Sequence, residues 1–99
     1  MQVRYIIRDM IKLIKQRGLA HGNYLDGHLR VCTLGAARQV VFGHPLRPFW
    51  WDETKFNTYQ KVKAKISREL KLRDNFDIPA WNDTHTQDEV LSSLRKMAW

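Results

Sequence analysis

Arg30 to Val41 reads RVCTLGAARQVV, and what this stretch becomes decides the fold. Leu34, Ala37, Val40 and Val41 recur at the three-and-four spacing of one helix face. Thr33 stands where a cap is needed, and Gly43 stands where the helix should end. The small residues Gly35, Ala36 and Ala37 leave room for another helix to come close. The stretch also places Cys32, the single cysteine of the chain, at the helix start. A thiol there is either a candidate nucleophile or simply packing.

Upstream, VRYIIRDMIKLIKQRG is an amphipathic helix with Val3, Ile6, Ile7, Met10, Leu13 and Ile14 on one face. Arg8, Lys12 and Lys15 share another face, and Gly18 closes the helix. Between the two helices, Asp26-Gly27 is good turn chemistry, flanked by the short arms 23–25 and 28–31. This predicts a short β-hairpin.

Downstream, HPLRPFWWDE is a connector that Pro45 and Pro48 keep irregular. Asp52 then caps a third helix over 53–72, whose buried stripe is Phe56, Tyr59, Val62, Ile66 and Leu70. Lys61, Lys65 and Arg68 fall on its opposite side. The segment RDNFDIPAWND reads as a loop anchored by Phe76, Ile78 and Trp81. Thr86 and Glu89 have capping-box spacing ahead of a last helix with Val90, Leu91, Leu94 and Met97 inward. The expected fold is mainly α, a small single domain over 1–99. It has about four helices, with the hairpin between helices 1 and 2.

The 99 residues allow one modest core. One cysteine makes no internal disulfide, and the absence of any Cys-x-x-Cys pair speaks against a zinc module. No apolar run reaches the roughly 20 residues of a membrane span. A cytoplasmic protein without membrane attachment is the expectation. Lys and Arg number 17 against 10 Asp and Glu, a formal charge of +7. That excess attracts polyanions and acidic protein surfaces.

Two short motifs carry a resemblance. One is Cys32, Leu34, Gly35 and Ala36 after the hairpin region. The other is Trp81, Asn82 and Asp83, followed by Thr86, Glu89, Val90 and Leu91. Together they resemble a family of small uncharacterised proteins, a domain of unknown function, from actinobacteria and their bacteriophages. The resemblance implies a phage or actinobacterial origin, a small helical domain and a cytoplasmic location, but no activity. Family members often carry a tryptophan and a second cysteine in the first turn, whereas the matching region here is GLAHGN. Paired-thiol chemistry is therefore not implied.

Two constellations could carry chemistry. A thiol enzyme would need Cys32 with His28 as base and Asn82 or Asp83 as orienter. A metal site would draw on His21, His28, Cys32 and His44, whose spacing matches no zinc motif. Neither constellation rises above what any chain contains, so no catalytic residue, metal or cofactor is assigned. A non-enzymatic accessory protein acting by binding is the leading expectation. Its anchors would be Arg47, Phe49, Trp50 and Trp51, with a host protein as partner and self-association as a further outcome. Arg8, Lys12, Lys15, Lys61, Lys65 and Arg68 would supply an electrostatic surface. The alternative is nucleic-acid or nucleotide binding through those same helix faces.

Overall fold

A computed structural model describes residues 2–46 and 52–98 of the chain. Five α-helices stand among the described residues: α1 (Val3–Arg17), α2 (Thr33–Phe42), α3 (Glu53–Glu69), α4 (Ile78–Asp83) and α5 (Gln87–Ala98). A single 3-10 turn, Asn75–Asp77, leads into α4.

The apolar stripe of α1 packs chiefly against α5 and α2, and α3 lies against α2 and α1. Ile6, Ile7, Met10 and Ile14 are fully buried, as are Val62, Ile66, Val90 and Leu94 from the facing helices. Gly18 ends α1 at a positive φ of 93°, and its N–H donates to the Ile14 carbonyl. Asp52 caps α3 by accepting from the Lys55 N–H at 3.0 Å. The capping box of α5 is reciprocal: Glu89 accepts from the Thr86 N–H at 2.8 Å and Thr86 Oγ1 from the Glu89 N–H at 3.2 Å.

Three expectations need correction. The first is the hairpin. Among the described residues no strand forms, and Val31 makes only isolated bridges, parallel to Leu19 and antiparallel to Leu25. The turn itself exists, since Leu29 N–H donates to the Asp26 carbonyl at 3.1 Å and Asp26 N–H to the Arg30 carbonyl at 3.0 Å. The second arm, however, is tied elsewhere. The Val31 N–H donates to the Gly18 carbonyl at 3.1 Å, and the Val31 carbonyl accepts from the Ala20 N–H at 3.0 Å. Backbone groups committed to the segment just after α1 are not available for a ladder between the arms.

The second correction concerns 73–83, which is not loop. Asp74 accepts from the Phe76 N–H at 2.8 Å and starts the 3-10 turn, and Pro79 sits in the first turn of α4. Of the three proposed anchors, Ile78 is fully buried and Trp81 half-buried, but Phe76 is 89% exposed. The third correction is the cap of α2, which is Cys32 and not Thr33. The thiol accepts from the Gly35 N–H at 3.3 Å, while Thr33 is already helical.

The small residues of α2 do permit a close approach, though at Gly35 the neighbour is not a helix. A Cβ on Gly35 would stand 2.0 Å from the Tyr24 carbonyl oxygen. That backbone is fixed by the bridge at Leu25 and by the turn. Gly35→Ala should therefore destabilise the chain by roughly 1–3 kcal/mol or more through forced backbone shifts. A Cβ at Gly27 meets nothing within 4 Å, so Gly27→Ala is the matched control. Urea midpoints that coincide for the two variants would show the contact to be yielding.

Candidate functional site

The two motifs behind the resemblance meet in space. Asn82, 1% exposed, spends its whole amide on the joint between them. Its Oδ1 accepts from the Thr33 N–H at 2.9 Å and from the Thr33 hydroxyl at 2.7 Å. Its Nδ2 donates to the Ala20 carbonyl at 2.9 Å and to Asp83 Oδ1 at 3.1 Å. Asp83 Oδ1 in turn accepts from the Gly22 N–H at 2.8 Å. Nearby, His21 Nε2 bonds the His85 carbonyl at 2.9 Å, and Gln87 Oε1 accepts from the Leu19 N–H at 3.0 Å. The cluster is a clasp between the 19–33 segment and the α4–α5 corner.

That role removes Asn82 and Asp83 from any catalytic arrangement. Cys32 follows the same direction. Burial is the main force that pushes its thiol above the ordinary range, and the Asp83 carboxylate adds to it. The Gly35 and Leu34 backbone and Arg38 pull the other way. A nucleophile would need the opposite shift. His28 stands exposed on the turn, with its N–H held by Asp26. Among the described residues, no three His, Cys, Asp or Glu side chains gather to hold a metal ion.

A family model described as a family of unknown function, DUF6197, matches residues 1–98. The chain belongs to that family. Comparison with curated proteins and with solved structures returned no match. Membership supports a helical domain of unknown function and names no enzymatic activity. No helix among the described residues is long and apolar enough to cross a membrane.

The aromatic anchors Arg47, Phe49, Trp50 and Trp51 lie outside the described residues. The electrostatic residues divide. Arg8 donates to the Ala98 carbonyl at 3.0 Å, at the end of α5, and Lys12 lies 4.0 Å from Asp9. Neither they nor Lys15 line the two grooves that the α3 cations line among the described residues. Lys61, Lys65 and Arg68 do come together, and they are joined by Arg4 from the start of α1. With Ala64 and Met97 they line a groove of about 520 Å³.

On the other side of α3 a second groove of about 680 Å³ opens towards α2 and the 72–79 segment. Lys63, Arg68 and Arg73 line it, beside Arg38. Ala64 and Arg68 belong to both grooves, so the two meet across one ridge of α3. The small side chain of Ala64 keeps that ridge low. Lys65 is paired with Glu69 at 2.8 Å. Among the described residues, Arg4, Lys61, Lys63, Arg68 and Arg73 have no acidic partner within salt-bridge distance. Burial first, and then repulsion from Arg38, hold the Lys63 ammonium below its ordinary range. The Arg38 guanidinium sits 4.0 Å from the centre of the Tyr24 ring and donates to the Tyr59 hydroxyl at 3.1 Å.

Sequence reasoning found Lys61, Lys65 and Arg68 through their shared helix face. It missed Arg4, Lys63, Arg73 and Phe76. Arg4, Arg73 and Phe76 are brought there by how α1 and the 72–79 segment fold back onto α3, which no local spacing encodes, whereas Lys63 lies on α3 itself, away from the face that Lys61, Lys65 and Arg68 share.

Two measurements check the clasp. Asn82→Leu leaves the Thr33 N–H, the Thr33 hydroxyl and the Ala20 carbonyl without their partner, at a cost of about 3 kcal/mol in urea-derived stability. A loss below about 1 kcal/mol would show that these groups find other partners. For Cys32, a folded-state pKa above the unfolded value means the protonated thiol is favoured by folding. Its stabilising contribution is full below the unfolded pKa and is lost as pH rises through the folded one. Iodoacetamide should then react more slowly than with free cysteine at neutral pH, with its rate midpoint above the usual thiol range. A midpoint below that range would reverse the assignment.

Proposed function

We propose that the protein is a non-enzymatic binding module whose partner is a nucleic acid, held by its phosphates across the cationic face of α3. The observation that carries this reading is the ridge of Ala64 and Arg68, flanked on both sides by grooves lined with cations. Arg4, Lys61, Lys63, Arg68 and Arg73 stand there without acidic partners among the described residues. Each phosphate neutralised by such a group releases condensed counterions, which drives association without base reading.

The partner is proposed to be met in the cytoplasm of an actinobacterium, whether the chain is encoded by the cell or by its phage. Support for that part is the sequence resemblance alone. Glu69 is occupied by Lys65. Asp74 also lines the larger groove, its Oδ1 accepting from the Phe76 N–H, and its single negative charge is set against Lys63, Arg68 and Arg73.

Fluorescence anisotropy with a labelled oligonucleotide tests the proposal. Binding is expected with a dissociation constant on the order of 10⁻⁶–10⁻⁴ M near physiological salt, tightening steeply as salt is lowered. Replacing Lys63 and Arg68 with Gln should flatten the plot of log affinity against log salt by about 0.7 per lost phosphate contact. No binding at low salt, or an unchanged slope in the variant, would overturn it. Retention of a protein that survives nuclease treatment, with no affinity for oligonucleotide, would instead favour a host protein as partner.

A further inference from the structure

We infer that the groove between α3 and the 72–79 segment takes single-stranded nucleic acid, with an unpaired base stacked on Phe76. This deepens the nucleic-acid reading and rests on it. Among the described residues, Phe76 is 89% exposed, against 43% for Tyr5, 63% for Leu29 and 52% for Leu46. Those other three do not line this groove, whereas Phe76 does, beside Lys63, Arg68 and Arg73.

Its exposure is not that of a slack loop. The Phe76 N–H is held by Asp74 Oδ1 at 2.8 Å, and the Asp77 N–H bonds the Asp74 carbonyl at 3.2 Å. The next residue, Ile78, is fully buried and pins the turn to the core. An aromatic face is thus held at the rim of a groove whose volume, about 680 Å³, lies within the roughly 300–1,000 Å³ of ligand sites. Cations along a groove with an aromatic platform are what a single strand requires. The phosphates take the charges and a base takes the ring, without regard to sequence. A duplex keeps its bases stacked on one another and leaves such a ring idle.

Three probes separate charge from stacking: a labelled 12-residue oligothymidylate, a mixed-sequence duplex of the same length, and inorganic polyphosphate competing for either. Phe76→Ala is the central variant, because so exposed a side chain contributes little to the core; circular dichroism verifies its fold. It should weaken the oligothymidylate roughly 5- to 100-fold and leave the inhibition constant of polyphosphate unchanged. Phe76→Trp should restore the affinity. If Phe76→Ala binds the oligothymidylate as the parent does while the Lys63 and Arg68 variants do not, the stacking inference falls and the nucleic-acid reading stands. A duplex that binds more tightly than the single strand also overturns the inference alone. Binding of polyphosphate with no affinity for either oligonucleotide overturns both.

Discussion

The structure depends on one buried amide. Asn82 holds the start of α2 through Thr33 and the segment after α1 through the Ala20 carbonyl, so three parts of the chain meet at a single side chain. In water each of these groups would bond solvent, and the net gain per bond is small. The constraint comes from the reverse situation. Once α4 covers the site, any misplacement leaves several polar groups buried without partners. The α4–α5 corner therefore fixes where the 19–33 segment runs, which puts Tyr24 over Gly35 and Arg38 beside Tyr24.

Much of this was legible in local chemistry. The α1 stripe, the Asp52 cap, the Thr86–Glu89 box and the buried face of α5 follow from residue type and spacing within a few turns. What was not legible depends on partners far along the chain. Asp26-Gly27 has true turn chemistry but does not extend into paired arms, because Val31 bonds back to Gly18 and Ala20, which no spacing around the turn reveals. Thr33 has the chemistry of a cap, but its hydroxyl is claimed by Asn82, and the thiol next to it takes the cap instead. Phe76 has the composition of an anchor, yet the Asp74 turn directs Ile78 inward and leaves the phenyl ring outside.

The charged face shows the same division. Helical spacing alone groups Lys61, Lys65 and Arg68. It does not show that Glu69 neutralises Lys65, that Arg8 is drawn to the end of α5, or that Arg4 and Arg73 arrive from either side. A net charge spread over 99 residues says little about a partner. The same charge gathered around Arg68, with an aromatic ring at the rim, has a definite chemistry. The two motifs that carry the sequence resemblance meet at the clasp, and of their residues only Leu34 lines a cationic groove.

The reach of Asn82 also governs the order in which the chain acquires its shape. Its bonds to Ala20 and Thr33 span 62 and 49 positions. During synthesis, α1 and the turn after it leave the ribosome well before their closing residue exists. Until then the Ala20 carbonyl and the Thr33 hydroxyl remain hydrated, and α1 has no α5 to cover its stripe. In the order of synthesis, these bonds can close only once the α4 segment has been made.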